Sequence, residues 1–492
     1  MRSPSIMRAA GALGLLALLV PRDAIAQRTT GDILGTVADG TGAMLASVTV
    51  TVSGPNIAGS QTTVTSANGV YRVGNLPPGA YSVSYSLAGF QPMTLRGVRV
   101  SIGATIEENV TLSVSQLTES VDVVAEAAVV DTTSSEVGTN FDKDWVQNAP
   151  TRRYGFYDLV AHAPGSVKAG DGIRYAEQRT QVFGGSYDSN AFQLDGVNVT
   201  DTYWAEGFAE PNPDAIEEVE VLSLGAPAEY GNFMGAVYNI VTKQGSNEFH
   251  GDARVFYQSD GLTWSNTEDV RNPDGSFADA TCGKEHCPFT RGDYYEVTAQ
   301  LGGPIVKDKL WFFGSYGHTL NEYTTFGVDP SVPYAPLKFE KDRYFAKLNW
   351  QISPNHRLVA NFHRDHSPQD LGVDYYEAPS TAATRTQTVP APGVAYTGTL
   401  SNRTTLDVRY SGFYGNVNEY PTDPTAPRDQ RRFVDLDTGL ITGGHYYWYN
   451  YDSRRTTLTA KLSHHADDFM GGDHDFRFGV QYNDARVTGI YG

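Results

Sequence analysis

From Phe249 to the end of the chain, apolar and polar residues alternate in segments of roughly ten, a length and period suited to β-strands that cross a membrane. Within residues 343–350, Tyr344, Ala346, Leu348 and Trp350 share one face; Arg343, Lys347 and Asn349 share the other, with Phe345 an exception. The split recurs in Leu358, Ala360 and Phe362 against Arg357, Asn361 and His363, and in Leu406, Val408 and Tyr410 against Asp407, Arg409 and Ser411. Near the end, Phe476, Phe478, Val480 and Tyr482 oppose Arg477, Gly479 and Gln481. A soluble sandwich also alternates, so the connections must decide. Short links at 352–355 and 401–403 alternate with long polar ones at 259–293, 366–392 and 416–453. Barrel strands are joined by short turns on one side of the membrane and long loops on the other, whereas a sandwich has no reason for that order. The expectation is a transmembrane antiparallel β-barrel whose first strand runs outward, with one face to lipid and one to a wet lumen. Trp311, Phe312, Tyr446, Tyr447 and Trp448 lie near strand ends, where aromatics serve an interfacial girdle or ligand contact.

Composition agrees with an all-β dominated chain: 29 Tyr, 22 Phe and 50 Gly favour strands and turns, and long runs of helix formers are scarce. After the N-terminus no run approaches the roughly 20 apolar residues that a helical span needs. The N-terminus itself reads as a secretory signal. Arg2 and Arg8 precede an apolar run at 9–20, and Ala24-Ile25-Ala26 is a small-residue cleavage pattern, so the mature chain is expected to begin at Gln27. The net charge of −19 disfavours nucleic acid, which rewards basic patches. Only Cys282 and Cys287 occur, six positions end to end in CGKEHC. In an exported protein such a pair most often forms a disulfide; zinc held with His286 is the rival reading, although no further ligand is visible nearby.

Residues 27–115 form an N-terminal unit. Strand-like runs at 48–52, 69–73 and 81–85, separated by Asn68-Gly69 and Leu76-Pro77-Pro78-Gly79, describe a small antiparallel sandwich. Its segments GTVADGTGAMLASVTVTV (35–52) and NGVYRVGNLPPGAYSVSYSLAGF (68–90) resemble the carboxypeptidase regulatory-like domain, which implies a transthyretin-like β-sandwich that is not catalytic.

Residues 141–247 form the next unit, with short strands expected at 218–222 and 236–242. VFGGSYDSNAFQLDGVNVTD (182–201) and AIEEVEVLSLGAPAEYGNFMGAVYNIVTKQGSN (215–247) resemble the plug of TonB-dependent outer-membrane receptors, in particular the Oar-like subgroup, which carries an extra domain before the plug. Siderophore receptors have an arginine and Gly-Pro just after the VEVL strand. Here Ser223, Leu224 and Gly225 intervene before Ala226 and Pro227, so siderophore specificity does not transfer. The resemblance implies a small α+β plug domain followed by the first part of a barrel at 248–492. NAPTRRYGFYDLVAHAPG (148–165) resembles the first helical part of the plug; there Arg152 and Arg153 could meet a ligand or, with many acidic partners in reach, the barrel wall.

The linker at 116–140 contains Glu119, Ser120, Val121, Asp122, Val123, Val124 and Ala125, which resemble the TonB box, a segment that adds itself to a partner's sheet as an edge strand. The alternative is the last strand of the sandwich or the first of the plug. The resemblance implies binding of an extracellular ligand, import driven by the inner-membrane proton gradient through TonB and its motor complex, outer-membrane lipid as surroundings, and no cofactor. A cell-surface adhesion protein without active transport, or a passive porin, would be the other classes. About nine strands can be counted, whereas plugged transporters of this kind have roughly 22, so further strands are expected after Gly492.

Enzymatic signatures are absent. His363-Arg364-Asp365 has no phosphate-binding loop to serve, and His464, His465 and His474 fall in an expected turn without the helical spacing of a metal motif.

Overall fold

The computed structural model describes residues 29–57, 59–114, 121–124, 137–149, 157–169, 179–224, 233–262, 291–323, 337–371, 377–401, 403–423, 425, 430–445, 448–470 and 472–492. The expected signal segment, Arg152, Arg153, Cys282, His286, Cys287, Tyr446, Tyr447 and the ends of the partner segment (Glu119, Ser120, Ala125) lie outside the described residues.

The N-terminal unit is a sandwich of β1 (Gly31–Asp39), β2 (Thr49–Ser53), β3 (Ser60–Val64), β4 (Val70–Leu76), β5 (Gly79–Ser86), β6 (Met93–Val100), β7 (Thr105–Glu107), β8 (Val110–Leu112) and β9 (Val121–Val124). One sheet runs β4-β1-β7 with β8 beside β1, the other β3-β2-β5-β6-β9. Alternation in β1 and β5 sends Ile33, Val37, Tyr81, Val83 and Tyr85 inward, where they meet Val50, Val52, Tyr71 and Val73. The Tyr71 and Tyr85 hydroxyls lie 2.7 Å apart, and Tyr71 also donates to the Glu108 carbonyl at 2.9 Å, so both buried phenols are satisfied. The sandwich is not wholly antiparallel: β7 and β8 pair with β1, and β9 with β6, in parallel. The chain changes sheets after β6 instead of turning back within one.

The plug follows as β10 (Val137–Asp142), helices Lys143–Asn148 and Tyr157–Val160, β11 (Ser166–Ala169), β12 (Arg179–Val182), β13 (Ala191–Leu194), β14 (Val197–Asn198), β15 (Ile216–Leu224) and β16 (Val237–Thr242). Asp142 caps the first helix by accepting from the Trp145 N–H at 2.9 Å. The central sheet is β10-β15-β16-β13-β14. The two strands expected from sequence are β15 and β16, and the sheet begins at Val137, a little ahead of the expected unit boundary. Every residue of β16 is buried, so its polar members need internal partners: Asn239 donates to Glu220 Oε2 at 3.1 Å.

The remainder is a sheet of nine strands, each antiparallel to its neighbours: β17 (His250–Gln258), β18 (Arg291–Val306), β19 (Leu310–Tyr323), β20 (Leu337–Ser353), β21 (His356–Leu371), β22 (Ala383–Ser401), β23 (Thr404–Pro421), β26 (Tyr449–Phe469) and β27 (Gly472–Tyr491). A small hairpin, β24 (Arg432–Val434) with β25 (Ile441–Gly443), sits in the connection between β23 and β26. No described helix is long and apolar enough to cross a membrane. Links of two or three residues follow β18, β20, β22 and β26, and the other connections are long, in strict alternation.

Two expectations about this sheet need correction. The loops expected at 366–392 and 416–453 are shorter, because β21 and β22 continue to Leu371 and from Ala383, and β23 and β26 to Pro421 and from Tyr449. Strands of 16 to 21 residues exceed the roughly 9–11 that cross a bilayer, and their polar outer ends read as loop. His464, His465 and His474 are likewise strand residues of β26 and β27, with His465 opposite Asp475, and no metal-holding cluster exists among the described residues.

Faces divide as the period of two predicts. Tyr344, Leu348 and Trp350 are exposed outward, while Arg343, Lys347 and Asn349 are buried toward the plug. Phe345, the exception in sequence, is apolar yet points inward, where it packs with Phe313 of β19 and Ala215 of the plug. Trp311 departs from the girdle expectation: it is buried on the inner face, its indole donating to Asn247 Oδ1 at 2.8 Å where the plug joins the first strand.

Candidate functional site

The inner face of the wall meets the plug along a seam of charged and aromatic contacts, made chiefly by the plug loop at 195–215. Its residues touch successive wall strands in reverse chain order. Asp214 accepts from Arg254 on β17 at 2.9 Å and from the Thr298 hydroxyl on β18 at 2.8 Å. Glu210 accepts from Lys341 on β20 at 2.7 Å, and its N–H donates to Asp365 on β21 at 2.7 Å. Phe208 packs on Phe413 of β23 with centroids 5.5 Å apart, and its carbonyl accepts from Gln387 of β22 at 3.3 Å. Tyr203 lies against Tyr451 of β26 at 5.4 Å and Tyr491 of β27 at 6.3 Å.

Closest to the short-turn side, Asp195 sits in the turn after β13 with a positive φ of 49°. Its carboxylate accepts from the Thr242 N–H and hydroxyl at 3.0 and 2.7 Å, and from Lys347 Nζ at 2.8 Å. Lys347 also donates to the Thr242 carbonyl at 3.0 Å, so this ammonium bridges two plug strands to the wall. Both side chains are buried, the setting in which breaking a pair is costly. Two glycines permit the fit. A Cβ at Gly196 would overlap the Arg409 guanidinium, and one at Gly415 would fall 1.7 Å from the Phe208 ring.

The His363-Arg364-Asp365 run belongs to this seam. His363 Nε2 is 2.7 Å from Asp365 Oδ1, both are buried in the wall, and Asp365 serves the Glu210 backbone. What it does chemically is hold the plug loop in place.

A second junction ties the sandwich to the plug. Glu218 on β15 accepts from the Ile102 N–H at 3.1 Å and from Asn140 Nδ2 at 2.6 Å. Burial pushes its carboxyl up to about 7. Beside it, Arg99 at the end of β6 pairs with Asp142 and lies 3.6 Å from Asp144. A cavity of about 890 Å³ opens between sandwich, plug and wall, with Asn56, Arg72, Glu217, Gln244, Lys347 and Arg357 among its lining.

Of the expected partner segment, Val121, Asp122, Val123 and Val124 form β9, in parallel register with Met93–Arg96 of β6. It is therefore an ordered edge strand of the sandwich and stands apart from the plug seam.

Sequence reading found part of the wall's inner face, Arg343, Lys347 and Asn349, through their period of two, but not Arg254, Lys341 or Phe413. It missed Asp195, Glu210 and Asp214, whose only signal was their place in a Gly- and Pro-bearing loop of an otherwise buried unit.

Comparison with known proteins matches residues 32–113 to the carboxypeptidase regulatory-like domain and residues 241–338 to an outer membrane beta barrel domain. The TonB-dependent transporter Oar of Myxococcus xanthus is 28% identical over 453 residues, covering 84% of this chain and 40% of that protein. The chain thus spans less than half the length of this relative. Among solved structures, the outer membrane transporter YddB from Escherichia coli shares the fold with a TM-score of 0.54 at 13% identity, over 71% of this chain and 48% of that one. FpvA of P. aeruginosa, bound to heterologous pyoverdines, gives 0.51 at 14%, over 73% and 43%. By sequence the chain is similar to the TonB-dependent transporter Oar, by fold to outer-membrane transporters, and it carries a carboxypeptidase regulatory-like match ahead of a plug-like unit and an outer membrane beta barrel match.

Proposed function

We propose that this chain belongs to a receptor that binds an extracellular ligand and imports it across the outer membrane, with TonB and its inner-membrane motor supplying energy from the proton gradient. The observation that carries this reading is a plug held in its wall by a few discrete latches and entered through an edge strand. β10 is terminal in the plug sheet, so it can leave β15 without disturbing β15 and β16. It follows β9 after residues 125–136, and a pull on the segment 119–125 therefore reaches β10 first. The latches Asp195–Lys347 and Glu210–Lys341 lie beyond, and their release would open a path between plug and wall. Oar and YddB are named as transporters, which supports this reading, and no covalent chemistry is required of this chain.

Strand addition depends on backbone hydrogen bonds, so a proline at Val123 removes a donor and fixes the backbone, whereas alanine leaves both intact. Val123→Pro in the whole protein is expected to abolish energised uptake while leaving outer-membrane abundance unchanged, and Val123→Ala to have little effect. Normal uptake by Val123→Pro would show that segment 119–125 is not where energy enters. Loss of the protein from the membrane would make the segment structural, simply the last strand of the sandwich or the first of the plug.

A further inference from the structure

Resting on the reading of residues 119–125 as the partner-binding segment, we infer that the sandwich presents its residues Val121–Val124 as a preformed strand, and that TonB extends the sandwich's own sheet by pairing with the outer edge of β9. Three observations carry this. β9 is registered on β6 over four residues, Met93 with Val121, Thr94 with Asp122, Leu95 with Val123 and Arg96 with Val124. Among the described residues β9 pairs with β6 alone and stands last in the order β3-β2-β5-β6-β9. A strand has two hydrogen-bonding edges and strand addition uses one, so a partner and β6 can hold β9 together.

The physical gain is pre-organisation. A loose segment must lose backbone freedom when it joins a partner's sheet, whereas β9 has already been ordered by β6. Its shortness also fits: a four-residue edge is too small to recruit other chains without further contacts. A second copy of this chain is a poor occupant, because each copy carries Asp122 within that edge and the chain has a net charge of −19. β6 gives the arrangement a route to the plug, since the strand that docks β9 also carries Arg99, the partner of Asp142 at the end of β10. A pull on β9 is thus felt at the junction of sandwich and plug as well as through residues 125–136.

The experiment locks β9 to β6. Thr94 and Asp122 are register partners, and neighbouring strands lie about 4.8 Å apart, within disulfide reach. Thr94→Cys with Asp122→Cys is made in the full protein and the bond is verified by non-reduced peptide mapping. Binding of the purified periplasmic domain of the same cell's TonB is measured on the oxidised and reduced forms. The oxidised form is expected to bind as tightly as the reduced form or up to about tenfold tighter, and β6 amides 93–96 of the unmodified protein to stay protected from hydrogen exchange in the complex. Tenfold weaker binding on oxidation, recovered on reduction, would overturn the inference by showing that β6 competes with the partner; so would deprotection of 93–96. Failure of both forms to bind would remove the partner-segment reading itself, and the inference with it.

Discussion

The sandwich and the plug are both small β units, but they are stabilised in different ways. The sandwich closes a core of its own, from Ile33 and Val37 through Val83 and Tyr85 to Val98 and Leu112. The plug's core is completed from outside: Phe192, Val219 and Ile240 belong to one apolar cluster with Val389, Ala391, Phe413, Val417 and Tyr451 of the wall. Charge is treated differently too. The sandwich's Arg72–Asp32 pair at 2.7 Å remains partly exposed, while Asp195–Lys347 and Glu210–Lys341 are largely removed from water. A unit that borrows its core and pairs its charges across a seam is stable only where it is seated. Under the proposed function, that property suits a part that leaves its seat.

The largest way to break this contrast is Lys347→Ala, which strands the buried Asp195 carboxylate. Loss of one partner of such a pair is expected to destabilise the seated plug by about 3–5 kcal/mol, read as protease cleavage within 195–215, with the sandwich untouched. Unchanged cleavage would mean that water reaches the pair and the seam is not a latch. Next, Phe208→Ala removes the ring held between Phe413 and Gly415 and is expected to cost about 3 kcal/mol by the same readout. A bulky residue at Gly415 should mimic it from the wall side.

Glu218 sharpens the comparison where the two units meet. Its carboxyl is raised from 4.5 to about 7, so between those values the folded protein holds a proton that the unfolded chain has lost. Stability from this group is therefore full below about pH 4.5 and falls as pH rises to about 7, by roughly 3 kcal/mol at most. Glu218→Gln should flatten that slope in pH-dependent chemical denaturation; an unchanged slope would place its origin elsewhere. The smallest effect is confined to the sandwich. Tyr71→Phe removes the hydrogen bonds to Tyr85 and Glu108 and is expected to cost about 1–2 kcal/mol in sandwich unfolding, with plug protease sensitivity unchanged.

Much of this architecture was legible in the residues. Strand faces follow from a period of two, so Tyr344 and Leu348 could be assigned to the outside and Arg343 and Lys347 to the inside before any partner was known. The order of short and long links identified a barrel sheet, and the turns at Asn68-Gly69 and Pro77-Pro78-Gly79 marked where the sandwich chain crosses from one sheet to the other. Strand ends were less legible, since the outer ends of β21, β22, β23 and β26 are rich in polar residues and look like loop.

What the sequence determined by itself was therefore local: which residues extend, which face they take and where the chain turns. Tertiary structure alone decided the partners. Lys347 and Asp195 are separated by 152 positions and Lys341 and Glu210 by 131, and nothing in either neighbourhood specifies the other. Trp311 and Phe345 teach the same lesson: one was expected at the membrane interface and the other broke the apolar–polar pattern, and only the plug behind the wall supplied Asn247 for one and Ala215 for the other. Periodicity is a property of one strand, whereas an ion pair or a filled pocket depends on distances that the backbone sets only after all three units have come together.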